Sequence, residues 1–222
     1  MKASANPHQM VAEDEDIRGM TLSIMRHHFL GWPDEGPSGA PFFIHNANGG
    51  NQALEMLPEV FKQPGITVVC LVVDAENDFA GRARGILDIA IRLGFQNVPN
   101  TWPKDGLRVS DARGRIFGAW ILPDNESHGM VETLCVAMMP NGSAALWDHA
   151  VEATLIAKET HGATYSEAHA TKARLYAWLA WQATPGERIQ WAIGKGYLNA
   201  ASDVVSGYVA WCDALYGLQR KP

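Results

Sequence analysis

The 222-residue sequence contains no hydrophobic run long enough for a transmembrane helix, which needs roughly 20 consecutive apolar residues. Its first 19 residues also lack the apolar segment and cleavage site of a secretory signal peptide. Cysteine is scarce: Cys70, Cys135 and Cys212 are odd in number, widely spaced and set among apolar residues. We therefore expect three buried free thiols in a cytoplasmic protein that has no contact with a membrane.

Basic residues are also outnumbered, because 18 Lys and Arg against 24 Asp and Glu give a formal charge of −6. This balance is unfavourable for a protein that binds nucleic acid through positive charge alone. It still suits an enzyme that meets phosphate groups through metal ions, because bound cations reverse the local charge. The hydrophobic content of 47% and charged content of 19% are typical of a globular protein and exclude a disordered, collagenous or coiled-coil chain.

Strand-like and helical segments alternate through the first 140 residues. The clearest strand spans residues 66–73, which are β-branched and apolar on both faces, as in the buried centre of a sheet. Residues 41–45 predict a second strand, residues 10–12 at most a short stub, and residues 107–110 and 116–122 a hairpin. Helical periodicity between them indicates crossover helices. The prediction is an α/β fold with a mostly parallel sheet flanked by helices.

The composition changes near residue 140. The rest of the chain is rich in Ala and Trp and has no strand pattern, and its predicted helices cover residues 144–161, 166–182, 187–194 and 203–218. We therefore predict an α/β domain over residues 1–140 and a C-terminal all-helical extension, residues 141–222, packed on it.

Acidic side chains follow several of the predicted strands. They are Glu13, Asp16, Asp74, Glu76, Asp78 and Asp124. Ligands of open α/β sheets bind beyond the carboxyl ends of the strands, so neighbouring strands would bring these acids to one edge. Strand alternation would place Asp74 and Glu76 on the same side, where carboxylates about 4 Å apart repel by roughly 4 kcal/mol at an effective dielectric of about 20. A proton or a hard cation must offset that repulsion, and oxygen donors favour Mg²⁺ or Mn²⁺.

These acids and the glycine pair Gly49-Gly50 resemble the Toprim domain of topoisomerases, primases and the overcoming-lysogenization-defect nucleases. That domain has a Glu-Gly-x-x-Asp element after its first strand and Asp-x-Asp after its third, which correspond here to residues 13–16 and 74–76. The resemblance covers about residues 8–135. It implies a Toprim-like sheet and a divalent metal site.

Three further segments are similar to those of an uncharacterised Toprim-type group of small prokaryotic proteins, and this resemblance extends almost to the end of the chain. They are residues 123–125, 129–132 and 172–182. Relatives with this layout sit beside ATPases in phage defence. The resemblance therefore implies nucleic acid as substrate and an ATPase as partner.

The resemblance also implies roles for individual residues. Glu13 matches the acid/base or metal-contacting glutamate, and Asp74 and Glu76 match the two metal-holding acids. Asp78 matches a further acid two positions on and Asp16 the outer acid of the first element, and one or the other would serve a second ion. Further candidates near the metal or the substrate are Gly49, Gly50, Asp124, Glu132 and Lys172. Two positions depart from the pattern, because Asp14 stands where the family has glycine and Glu76 replaces an aspartate.

Structural roles remain open beside the functional ones. Residues 13–16 suit the first turn of a helix, where the macrodipole favours acids, and Asp78 suits a helix N-cap. Asp124 and Glu132 suit a turn and a helix start. Lys172 suits an ion pair with an acid, and Arg82 suits either a solvated face or a phosphate contact.

The leading hypothesis is a Mg²⁺- or Mn²⁺-dependent nuclease or related phosphotransfer enzyme in phage defence. The alternative is a non-catalytic Toprim-like subunit that regulates or scaffolds an ATPase complex. A small-nucleotide phosphatase is a third hypothesis.

Overall fold

The computed structural model describes residues 6–33 and 39–222, which form five strands and eight α-helices. The strands are β1 His8–Ala12, β2 Phe43–Asn46, β3 Val68–Asp74, β4 Leu107–Ser110 and β5 Ile116–Leu122. They form one sheet in the order β2-β1-β3-β5-β4, parallel throughout except for β4, which is antiparallel to β5. The α/β class, the mostly parallel sheet and the hairpin are therefore confirmed.

Strand β1 is more substantial than its sequence predicts. It is five residues long and lies inside the sheet, where β2 and β3 pair with it on either side. Two ladders of backbone hydrogen bonds thus hold a segment whose own apolar stretch is very short. Its last residue, Ala12, lies opposite Asn46 of β2 and Val72 of β3. Glu13 consequently emerges beside the end of the central strand.

Helices cover both faces of the sheet. They are α1 Glu15–His28, α2 Gly50–Lys62, α3 Phe79–Arg92, α4 Val131–Ala137, α5 Ala144–His161, α6 Ala170–Ala180, α7 Ile189–Gly194 and α8 Ser206–Tyr216. Helix α5 has the predicted bounds, whereas α6 and α8 begin later than predicted because short 3-10 turns, Glu167–His169 and Asp203–Val205, precede them.

Alternation along β3 divides the core into two layers. Val69, Leu71 and Val73 face α2 and α3, whereas Cys70 and Val72 face α1, α4 and the C-terminal helices. This second layer draws on both sides of residue 140, so the proposed domain boundary there stays a prediction. The three cysteines are free and buried, as predicted. Within residues 6–33 and 39–222, no helix combines the length and apolar character needed to cross a membrane.

Candidate functional site

Glu13 and Asp74 lie side by side where β1 and β3 end. The Glu13 backbone N–H donates to the Val72 carbonyl at 3.0 Å, and its carboxylate Oε2 accepts from the Asp74 backbone N–H at 3.0 Å. The two residues are only 9% and 6% exposed. The predicted meeting of these two acids is therefore present, because adjacent parallel strands end at the same edge.

The protein interior disfavours negative charge at this pair. Burial, followed by the charges of Glu13, Glu132 and Asp14, raises the pKa of Asp74 to about 9, even though Asp74 Oδ1 accepts a 2.8 Å hydrogen bond from the Val131 N–H. Burial also raises the pKa of Glu13, although the Asp74 N–H and the Arg82 charge act in the opposite direction. Without a bound cation, the pair therefore retains a proton more readily than ordinary carboxyls do.

Glu76 does not point with Asp74, so that prediction is wrong. Strand β3 ends at Asp74, and Glu76 has a left-handed backbone with φ of +52°. Its N–H and C=O pair with Gly129 at 2.8 and 2.9 Å, and its side chain is 59% exposed, with Oε1 3.8 Å from Arg82 Nη2. Strand alternation no longer applies beyond the last paired residue, so the side chain turns outward.

Arg82 approaches the acids from α3 as a largely buried cation. Its side chain is 16% exposed, and its Nε donates to the Asp74 carbonyl at 3.1 Å. A Cβ on Gly50 would lie 2.6 Å from Arg82 Nη1, so a larger residue at position 50 would displace the guanidinium. Gly49 has φ of +142° and donates its N–H to the Glu13 carbonyl at 2.8 Å. Gly50 therefore leaves room for the Arg82 guanidinium, whereas Gly49 supplies a backbone conformation that other residues rarely adopt.

Asp16 and Glu132 form a second pair of acids, bridged by Lys172. The Lys172 ammonium lies 2.8 Å from Glu132 Oε1 and 3.2 Å from Asp16 Oδ2, and the Tyr176 hydroxyl donates to Asp16 at 3.2 Å. Glu132 is 1% exposed. Burial lowers the pKa of Lys172, but the hydrogen bonds and charges of the two acids outweigh it and raise that pKa. Lys172 is therefore a charged partner of both acids.

Tyr176 was missed at the sequence level. It follows Lys172 by four residues on α6, so the two side chains lie on one helix face. That spacing is the signal that would have pointed to it, although nothing in the sequence indicates which acid this face meets.

The remaining predicted acids have structural roles. Asp78 is the N-cap of α3 and accepts from the Gly81 N–H at 2.8 Å, as predicted. Asp124 is exposed and accepts from the backbone N–H groups of Glu126 and Ser127 at 3.1 and 2.7 Å. These bonds outweigh partial burial and lower the pKa of Asp124. The expected convergence of strand-end acids thus does not extend to Asp124, which anchors a turn.

Acids 13–16 also begin the helix that follows β1. Asp14 is the N-cap of α1 and accepts from the Ile17 N–H at 2.9 Å, and Asp16 lies in the first turn. The helix-start interpretation is confirmed for these two residues, whereas Glu13 precedes the cap and faces Asp74.

The donor chemistry of the site suits Mg²⁺ or Mn²⁺, because its groups are carboxylate oxygens. Glu13 and Asp74 each use one oxygen in a backbone hydrogen bond. Within the described ranges, however, no group of three or more His, Cys, Asp or Glu side chains is arranged to hold a metal ion. A third carboxylate would have to turn inward, and exposed Glu76, two residues after Asp74, is one candidate. It also borders a cavity of about 380 Å³ together with Asn51, Asp78 and Arg82.

The site and sheet define an α/β protein with a buried acidic pair at the carboxyl edge of its parallel strands. The chain belongs to the family described as "Protein of unknown function (DUF3226)", whose model matches residues 15–217. Glu13 therefore precedes the matched region, whereas Asp16, Asp74, Glu132 and Lys172 lie inside it. No curated protein and no solved structure matches the chain.

Proposed function

We propose that the chain is a cytoplasmic Toprim-like enzyme that uses one or more Mg²⁺ or Mn²⁺ ions for nuclease or related phosphotransfer chemistry on nucleic acid. We also propose that the enzyme acts in phage defence together with an ATPase. The observation that carries it is the burial of Glu13 and Asp74 against each other, with both pKa values raised. Such a pair costs stability when it is ionised without a cation, and a bound divalent ion would offset that cost.

Each residue of the site has a distinct task in this proposal. Asp74 and an inward-turned Glu76 would hold the ion, and Glu13, whose pKa is raised, would hold or pass a proton at its carboxylate. A bound divalent ion would supply charge stabilisation for a reacting phosphate. The Arg82 guanidinium, which borders the cavity at Glu76, would contact a phosphate oxygen.

A melting experiment tests the metal site first. Mn²⁺ bound by the native state should raise the melting temperature of the protein. Asp74→Asn should abolish that rise, whereas the matched control Asp124→Asn should retain it, because Asp124 only closes a turn. An equal Mn²⁺ response in the wild type and in Asp74→Asn would contradict the assignment.

Cleavage assays then separate the reactions. Under the proposal, plasmid or RNA is cleaved in the presence of Mn²⁺ by the wild type and by Asp124→Asn, and not by Asp74→Asn. Phosphate release from mononucleotides without cleavage of either polymer would identify a phosphatase instead.

A non-catalytic regulatory or scaffolding subunit is the second candidate. One observation favours it: positive side chains of the protein itself already lie beside the acids. Lys172 lies between Glu132 and Asp16, and Arg82 lies near Glu76 and Glu13. In that case the melting temperature would not respond to Mn²⁺ at any concentration, and the protein would cleave neither polymer.

A further inference from the structure

A cavity of about 430 Å³ lies between the last turn of α1 and helix α7, and we call it the α1–α7 cavity. Its lining includes Ser23, Arg26, His27, Gln190, Trp191 and Lys221. The volume is within the range of pockets that hold small ligands. Helix α1 has 14 residues and is therefore about 21 Å long, so the cavity lies well away from Glu13, which precedes the other end of this helix.

Arg26 and Lys221 make this cavity positive, although the chain as a whole has a formal charge of −6. Arg26 donates its Nε to the Pro33 carbonyl at 2.7 Å, and Lys221 donates its Nζ to the Arg26 carbonyl at 2.6 Å. Both acceptors are uncharged. The described residues give neither cation an acidic partner, and no Asp or Glu among them lines the cavity. After burial, the charges that lower the pKa of His27 are those of His28 and Lys221, which are also positive. The cavity therefore attracts anions.

Helix α7 adds an exposed aromatic ring to the cavity. Its Ile189, Ala192 and Ile193 are buried and hold the helix against the core, whereas Trp191 is 52% exposed. In the described part of the chain, the Trp191 indole N–H has no hydrogen-bond acceptor. The packing of α7 therefore does not account for a tryptophan at this position. Its indole face is a surface on which a planar ring can stack.

Hydrogen bonds between the walls form the cavity before a ligand arrives. The Ser23 hydroxyl donates to the Gln190 carbonyl at 2.9 Å and joins α1 to α7. His28 Nε2 lies 2.7 Å from the Ala200 carbonyl, and the Lys221 backbone N–H donates to the His28 carbonyl at 2.8 Å. A ligand would consequently not have to order these walls, which lowers the cost of binding.

We propose that the α1–α7 cavity binds a free nucleotide, with its phosphate against Arg26 and Lys221 and its base against the exposed face of Trp191. Guanidinium and ammonium groups are common side-chain partners of phosphate. An inorganic anion would leave the indole without a partner, and a nucleic-acid strand would extend beyond a cavity of this volume. The site uses neither Glu13 nor Asp74, so it does not rest on the proposed function.

Calorimetric titration with adenosine monophosphate (AMP) in EDTA tests this site, because EDTA keeps divalent ions from the acidic pair. The wild type should bind AMP, whereas adenosine and inorganic phosphate should each bind at least about tenfold more weakly. Trp191→Ala and Lys221→Ala should each weaken AMP binding by about tenfold or more. Both side chains are exposed, so these variants should keep the melting temperature of the wild type.

Trp181→Ala and Arg84→Ala are matched controls, because they remove an exposed indole and an exposed guanidinium that lie outside the cavity. Both should bind AMP as the wild type does. Asp74→Asn should also bind AMP normally, which separates this site from the acidic pair.

A wild type that does not bind AMP at about 1 mM overturns the proposal. Equal binding of AMP by the wild type and Trp191→Ala, or of inorganic phosphate and AMP by the wild type, overturns it as well, because the aromatic contact would then be absent. Loss of AMP binding in Asp74→Asn would place the nucleotide at the acidic pair instead. A single-stranded oligonucleotide that binds through Trp191 when AMP does not would show that the cavity holds a strand, which also contradicts the proposal.

Discussion

The buried carboxyl of Asp74 should make the metal-free protein less stable as the pH rises. Its pKa is about 9 in the folded protein against 3.8 for an ordinary aspartate. Between these values the folded state holds a proton that the unfolded state has released, so the free energy of unfolding falls with increasing pH. One such proton gives a slope of at most about 1.4 kcal/mol per pH unit, and hence a loss of up to about 4 kcal/mol between pH 5 and pH 8.

The measurement is urea unfolding in EDTA at several pH values, with Asp74→Asn as the reference. The variant keeps the size of the side chain and cannot ionise, so the difference between the two proteins reports the ionisation of this carboxyl together with its coupling to Glu13. Glu13 contributes a slope of the same sign, because its pKa is also raised. His45 contributes the opposite sign, because burial lowers its pKa. The His45 contribution cancels in the difference, whereas the Glu13 contribution cancels only in part, because the Glu13 charge is coupled to that of Asp74.

One result would refute this reasoning: a wild type and an Asp74→Asn protein whose stabilities change in parallel across the range from about pH 4 to pH 9. A wild-type slope that saturating Mn²⁺ leaves unchanged would instead contradict the proposed metal site. An ion bound to the ionised carboxylate should remove most of the difference in proton binding between the folded and unfolded states.

Two further changes test the packing around the site and the sheet. Lys172→Ala in EDTA should lower the free energy of unfolding by about 2 kcal/mol. This loss is smaller than for a fully buried ion pair, because the lysine side chain is 40% exposed. A loss below about 0.5 kcal/mol, which is typical of a surface pair, would contradict the bridge to Glu132. Gly106→Ala should lower the free energy of unfolding, measured with urea, by about 2 kcal/mol or more. Gly106 has φ of +82°, and a Cβ there would lie 2.4 Å from Trp211 Cδ1. Unchanged stability would contradict this close contact and show that the indole moves aside freely.

The parts of the fold that the sequence predicts best are those with a strong local pattern. Strand β3 is apolar at every position before Asp74, so it can be predicted without knowledge of its neighbours. Asp78 is recognisable as a cap from the helix that follows it. Strand β1 was underestimated because its stability comes from two partner strands rather than from its own residues. The local sequence of β1 also does not indicate where Glu13 lies. Its place beside Asp74 follows only from the assumption that neighbouring parallel strands end at the same edge.

The candidate site shows a similar division. The meeting of Glu13 with Asp74 follows from topology, which strand order and direction determine. The orientation of Glu76 depends on one left-handed backbone position, and the sequence does not reveal it. The contact of Lys172 with Glu132 joins residues 40 positions apart through helix packing, so no local spacing indicates it.

The bridge made by Lys172 joins two parts of the chain that are distant in sequence and in contact in the folded protein. The carboxylates belong to the sheet portion, and their ammonium counterpart belongs to the Trp-rich helices. Loss of the lysine or of Glu132 leaves the other charge without its partner in a largely buried place. Mutations at these positions should therefore be tolerated mainly in combinations that remove both charges. A hybrid that joins the sheet portion of one family member to the helical portion of another should therefore fold stably only when both parents carry the same charges at positions 16, 132 and 172.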